Sequence, residues 1–321
     1  MNETVLAETD WRTMRLNLKR LQLPRPKTFG MAIAAAALFL SAAGSGFGMG
    51  PVNFVPAPPG HGDSPKKSMV EARFGYLWGA NEIRLRDGDN ANLPPSNRWV
   101  ACDGLLFGVQ GETFVMKDLA VRAQGWINVP MQIRSNFNVD QRAGSWDTLG
   151  QYVAADLAAI YHFGLGGMPY SAGLVAGYRY NNFDYQSKTV GQPAGTSEDH
   201  FHVHIPYLGV YYANSAIVGS VVRLDILASP FALTRLDAQR RRQGIVTNIE
   251  GHSITGAWFE SYFQWSWPVS RNALVGVFAN YNFLLLSGGA TEVQARQGST
   301  RFSLDSRNHL FMTGLSATYT F

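Results

Sequence analysis

From about residue 69 to the C-terminus, apolar and polar side chains alternate with a period of two, one segment after another. Successive side chains on a strand point to opposite faces, so this period predicts strands with one greasy face and one wet face. In the first segment Val70, Ala72, Phe74, Tyr76, Trp78 and Ala80 share a side, opposite Glu71, Arg73, Gly75 and Gly79. A soluble sheet could bury that face too, so the case rests on repetition. Further segments run Trp99 to Gln110, Leu119 to Val129, Gln151 to Phe163, Tyr170 to Tyr185, His200 to Tyr212, Ala216 to Leu227, Ser253 to Trp267, Ala273 to Leu286 and His309 to Phe321. Asp103 alone breaks the pattern of its segment.

The connections carry an independent signal. Those after the second, fourth, sixth and eighth segments (111–118, 164–169, 213–215, 268–272) are short, and the intervening ones are long and polar. Short periplasmic turns alternating with long extracellular loops are the habit of outer-membrane barrels. The prediction is an all-β protein: a ten-stranded antiparallel transmembrane β-barrel over 69–321, with five long extracellular loops and short periplasmic turns. Closure removes the sheet edges that lipid would leave unpaired. An exported soluble β-sandwich or solenoid is the alternative, but it leaves unexplained why Tyr and Trp gather at strand ends, where interfacial girdles lie.

The N-terminus predicts the address. Arg12, Arg15, Lys19, Arg20, Arg25 and Lys27 precede an apolar stretch, Met31 to Ala43, that ends in small residues, the order of a secretory signal peptide. We expect residues 1–43 to be that peptide, with cleavage near Ala43, and residues 44–68, rich in Pro and Gly, to be an extended periplasmic lead-in. The expected location is the outer membrane of a Gram-negative cell.

Composition excludes two classes. No run past residue 43 has the roughly 20 apolar residues of a spanning helix, which removes a helix bundle. The net charge of +4 comes partly from the targeting segment and partly from Arg240, Arg241 and Arg242, with no basic stripe interleaved with stacking aromatics, so no nucleic-acid partner is expected. The lone Cys102 has no internal partner for a disulfide. No cofactor is expected.

Several stretches carry a family resemblance: DLAVRAQGWINV followed by NVDQ (Asp118 to Gln141), GLVAGYRYNNFDY (Gly173 to Tyr185), IPYLGVYY (Ile205 to Tyr212) and the closing LSATYTF. With these the chain resembles the omptins, outer-membrane barrel proteases. The resemblance implies a pair of Asp residues two apart, facing an Asp and a His two apart and activating a water between them. Asp140 matches the first Asp, but the second position is Arg142; Asp237 matches the other Asp, and the histidine's place falls on Gln239. Neither Arg nor Gln takes a proton near neutral pH, so the implied catalytic set is incomplete.

Other candidates come from the residues themselves. His200, His202 and His204 share one face, predicted to be the lumen near the extracellular rim, about 7 Å apart along the strand. They read either as wetted lumen residues or as ligand-binding side chains able to supply two metal ligands; no third is nameable, although Glu198 and Asp199 adjoin them, so no metal site is expected. Arg122, Asp156, Arg179, Arg223, Asp225 and Glu260 fall on predicted lumen faces and read as a salt-bridged network plugging the barrel. Arg240, Arg241 and Arg242, with Arg235, lie in the predicted seventh loop, where they read as a solvated face or as contacts to lipopolysaccharide phosphate. The expectation is a non-proteolytic structural or ligand-binding surface barrel; an omptin-type endopeptidase with relocated catalytic residues and a narrow pore are the alternatives.

Overall fold

The computed structural model describes residues 68–321 except 88–95, 140–141, 164–169, 190–194, 218–219, 243–244 and 295–297. The segment read as a signal peptide, and the lead-in as far as residue 67, lie outside the described residues. So does Asp140.

The described chain is strand almost throughout: β1 (Met69–Asp87), β2 (Ser96–Ala101), β3 (Gly104–Phe114), β4 (Leu119–Pro130), β5 (Gln132–Val139), β6 (Arg142–Phe163), β7 (Tyr170–Thr189), β8 (Gly195–Ile217), β9 (Ser220–Arg242), β10 (Ile245–Pro268), β11 (Ala273–Gln294) and β12 (Gly298–Thr320). Neighbours pair antiparallel in the order β12-β11-β10-β9-β8-β7-β6-β4-β3-β1, and β1 pairs back onto β12 from Met69↔Thr320 to Asp87↔Phe302. The sheet is therefore a closed ring of ten staves, as the alternation predicts. Two staves are broken. β1 pairs with β3 through Leu77 and with β2 from Ala80 onward, while β6 pairs with β4 near its periplasmic end and with β5 above.

The break explains Asp103. At the gap between β2 and β3 the Cys102 N–H donates to the Gly79 carbonyl and the Gly79 N–H donates to the Asp103 carboxylate, both at 2.9 Å. Met131, between β4 and β5, donates its N–H to the Asp103 carbonyl at 2.9 Å. Asp103 thus binds backbone donors that the interrupted ladders leave over.

The strands run further than the alternation suggested. The long polar connections are present, but most of their length is paired backbone: β9 continues to Arg242 and β10 resumes at Ile245, so the stretch read as a seventh loop is largely a hairpin. The turn placed at 213–215 is strand as well, since β8 reaches Ile217.

Within these long strands the polarity of the two faces inverts. On β1 the outward residues Phe74 and Trp78 are about half exposed, as lipid-facing side chains are, and Glu71 and Arg73 point inward. Higher on the same strand Arg84 and Arg86 face out, and Ile83 and Leu85 are buried inside. On β8 the outward face reads Tyr212, Val210, Leu208 and then His204, His202 and His200, while Tyr207, Ile205, Val203 and Phe201 fill the interior. Tyr212 and His204 are eight residues apart, which at about 3.4 Å per residue and a tilt of about 40° spans about 20 Å, close to the height of an outer-membrane barrel's apolar band. Below His204 the barrel faces lipid; above it, the same wall stands in water around an apolar core.

Candidate functional site

The bilayer-level lumen is filled by charged side chains arranged in pairs. Arg122 reaches Asp225 at 2.7 Å and Glu112 at 3.1 Å, and Arg223 reaches Asp225 at 2.7 Å. Arg179 pairs with Glu260, donates to Tyr152 at 2.8 Å, and lies over the Trp258 ring. Asp156 accepts a hydrogen bond from the Tyr207 hydroxyl at 2.7 Å. Gly177 permits this contact, because a Cβ there would meet the Tyr207 hydroxyl at 2.5 Å. Arg73 pairs with Glu71 and stacks between Trp126 and Tyr262, its guanidinium 4.8 and 4.4 Å from the ring centroids. The predicted network is therefore present, enlarged by Glu71, Arg73 and Glu112. Each guanidinium has a carboxylate, the condition for keeping charge at membrane depth. Such a plug holds the wall together and leaves little free lumen.

The histidines lie elsewhere than predicted. His200, His202 and His204 face outward, because on this stretch of β8 the buried positions are Phe201, Val203 and Ile205. The lumen assignment assumed apolar-out along the whole strand, and it fails above the lipid band, where apolar residues turn inward. His204 pairs with the Tyr178 hydroxyl, His202 with that of Tyr180 at 2.7 Å, and His309 on β12 with that of Tyr281 at 2.9 Å. Rings with one apolar body and one polar tip suit a water–lipid boundary, so these pairs form an upper girdle. His200 stands above it, 2.7 Å from Asp184, whose hydrogen bond raises the imidazole's pKa above its ordinary value. Glu198 faces outward on the same edge, while Asp199 points inward. Among the described residues no group of three or more His, Cys, Asp or Glu side chains is placed to hold a metal ion.

Of the implied proteolytic set, Asp140 and the side chain of Arg142 lie outside the described residues, and only the second half can be placed. Asp237 lies on the outward face of β9, ion-paired with Arg235 at 2.9 Å. Gln239 lies on the same face and donates to Asn248 at 3.2 Å. Arg235 and Arg241 also face out, from a strand rather than a loop, and Arg241 bonds Gln239. Arg240 turns inward toward the barrel mouth; Arg242 ends β9, its side chain outside the described residues.

The mouth itself is the feature that sequence reading missed. Arg98 of β2 and Asp199 of β8 cross the upper lumen to form an ion pair at 2.7 Å. Arg98 also donates to Ser197 at 3.0 Å and Ser187 at 2.6 Å, with its guanidinium 4.8 Å from the Trp146 ring centroid. Around them the buried side chains of Leu85, Phe201, Leu236 and Leu304 converge from β1, β8, β9 and β12, with Arg240 beside them. Arg98 sits one residue before the segment start read at Trp99, and Asp199 one before that read at His200; each falls where alternation had faded.

No family model matches the chain, and no curated protein matches it by sequence. Among solved structures it is similar to the outer membrane protease OmpT of Escherichia coli, with a TM-score of 0.71 at 13% identity, over 80% of this chain and 98% of that one. The translocator domain of the autotransporter NalP from Neisseria meningitidis matches with a TM-score of 0.38 at 10% identity, over 92% of this chain and 98% of that one. The first likeness shows a shared barrel fold.

Proposed function

Starting from an outer-membrane β-barrel with an omptin-like fold, we propose that this protein is a non-proteolytic surface barrel with a structural or ligand-binding role. One observation carries the reading. Where the resemblance implies a carboxylate and an imidazole facing a cleft, Asp237 and Gln239 point to the outside and the mouth holds an arginine–aspartate pair among aliphatic side chains. General-base catalysis needs a proton acceptor within hydrogen-bond reach of the attacking water, and an Asp spent on an Arg is a poor one. The test is a panel of dibasic peptides offered to the refolded barrel. No cleavage is expected; cleavage abolished by Asp140→Ala would overturn the reading.

The endopeptidase alternative, with chemistry moved to the histidine row, is disfavoured because His202 and His204 are engaged by tyrosines on the outer wall. Loss of a measured cleavage in His202→Ala or His204→Ala would support it. A narrow pore is disfavoured by the ion-paired plug, and planar-bilayer recordings are expected to show no conductance steps. Lipopolysaccharide is the proposed surface contact. What supports this reading is that Arg241 and Arg235 of β9, and Arg84 and Arg86 of β1, face out above the girdle, and a guanidinium pairs well with phosphate.

A further inference from the structure

We propose that the outer wall carries a site for the primary ammonium group of a membrane lipid, made by the Asp103 carboxylate beside the Trp78 and Tyr76 rings. It goes beyond the phosphate contact of the arginines and does not rest on it. Leu105, Phe107 and Val109 of β3 are exposed, Cys102, Gly104 and Leu106 are buried, and the same parity turns Asp103 outward. β1 pairs with β3 as far as Leu77↔Gly104 and with β2 from Ala80↔Ala101, and the shared register sets Trp78 opposite Asp103 and Tyr76 on the diagonal. Opposed side chains on one face stand about 5 Å apart at Cβ, and diagonal ones about 7 Å. The Tyr76 and Trp78 rings pack with centroids 4.7 Å apart, and Phe311 lies 5.8 Å beyond Trp78. His309 of the upper girdle stands opposite Ala80, two residues further along β1. Asp103 is therefore a carboxylate on the outside of the barrel at the edge of the lipid.

A carboxylate in that position needs a counter-charge. Its Oδ1 accepts the Gly79 N–H at 2.9 Å, while its Oδ2 has no hydrogen-bond partner and Asp103 forms no ion pair among the described residues. Outward arginines of the adjoining strands are already taken, Arg84 by Glu82 at 2.6 Å and Arg134 by Asp147 at 3.6 Å. The broken staves hold the group in place, because the Asp103 carbonyl accepts the Met131 N–H at 2.9 Å and the Tyr76 hydroxyl reaches the Met131 sulfur at 3.5 Å. An ionised side chain at the membrane boundary costs free energy unless it is paired, so the membrane is the source of the partner. A primary ammonium gives Oδ2 a charge-assisted hydrogen bond, and the electron-rich ring faces attract the rest of its charge. A quaternary ammonium would meet the rings but leave Oδ2 without a donor. A headgroup bearing only phosphate would be repelled.

The experiment titrates the refolded barrel in dodecylmaltoside with dihexanoyl phosphatidylethanolamine, phosphatidylcholine and phosphatidylglycerol, and with free ethanolamine, counting adducts by native mass spectrometry. A saturable one-to-one adduct with phosphatidylethanolamine is expected, about tenfold tighter than with the other two lipids. Asp103→Asn keeps an acceptor for the Gly79 N–H, removes the charge and should erase that preference. Asp237→Asn, at an outward carboxylate already paired with Arg235, should leave it unchanged. Trp78→Leu should weaken the phosphatidylethanolamine adduct by about threefold through loss of the ring face, which tests the site a second way. Heat-modifiable gel migration reports that each variant is folded. Equal binding of the three lipids, or a preference that survives both Asp103→Asn and Trp78→Leu, overturns the inference. Free ethanolamine binding as tightly as phosphatidylethanolamine overturns the assignment to a lipid.

Discussion

The lower and upper halves of this barrel solve the same packing problem with opposite chemistry. At bilayer level the wall shows Leu157, Leu174 and Leu208 to the outside and encloses Arg122, Arg179, Arg223 and their carboxylates. Above the tyrosine–histidine girdle the wall shows Arg84, Asp184 and Arg241 and encloses Phe201, Leu236 and Leu304. The backbone is the same continuous hairpin in both. What differs is the solvent outside it, and the interior takes whatever the exterior cannot hold. In lipid the charges must go inside and find partners; in water the apolar side chains go inside and need none.

That contrast can be broken at either end. The largest effect is expected from Glu260→Ala, which leaves the Arg179 guanidinium buried without its carboxylate: a loss of about 4 kcal/mol of stability, read by urea unfolding in vesicles. Replacing the pair together, Arg179→Met with Glu260→Leu, should recover most of it; no recovery would mean that the network's other hydrogen bonds matter more than its charge balance. In the upper half Phe201→Ala should cost about 3 kcal/mol by the same assay, through a cavity rather than through charge.

The sharpest test uses one substituent at two outward positions of β8. Leu208→Arg places a guanidinium against lipid and should destabilise by about 2 kcal/mol, and Thr196→Arg, on the same face above the girdle, by less than about 0.5 kcal/mol. Equal penalties would mean that the solvent boundary does not cross β8 at His204. The smallest effects belong to the exposed pairs. Arg235→Ala should change stability by about 0.5 kcal/mol or less, because its partner Asp237 and the ion pair itself are well solvated. His200 should show a pH signature. Its folded-state pKa is raised by Asp184, so its contribution is complete below about pH 6.5 and fades as pH rises through the raised value. An NMR titration of His200 with and without Asp184→Asn reads the shift, and an unchanged midpoint would remove Asp184 as its cause.

How much of the site was readable follows from the same contrast. Arg122, Asp225, Arg179 and Glu260 were assigned to the lumen because they sit at lipid level, where a period of two and the rule of apolar-out agree. His200, His202 and His204 obey the same period but stand at or above the boundary, and alternation alone carries no sign telling which face is inside. Asp237 and Gln239 were placed by resemblance, and the parity of β9 turns both away from the mouth. Arg98 and Asp199 were invisible as a couple because they are 101 residues apart and meet only across the lumen.

By itself the sequence determined the closed ten-stave wall, its antiparallel order and the polar filling at bilayer depth, since each follows from local alternation and from the length of the links. Tertiary structure alone decided where along each stave the lipid ends, which face is inner above that line, and which charges meet across the axis. These depend on how far neighbouring strands extend together and on distances across the lumen, quantities that no single segment contains.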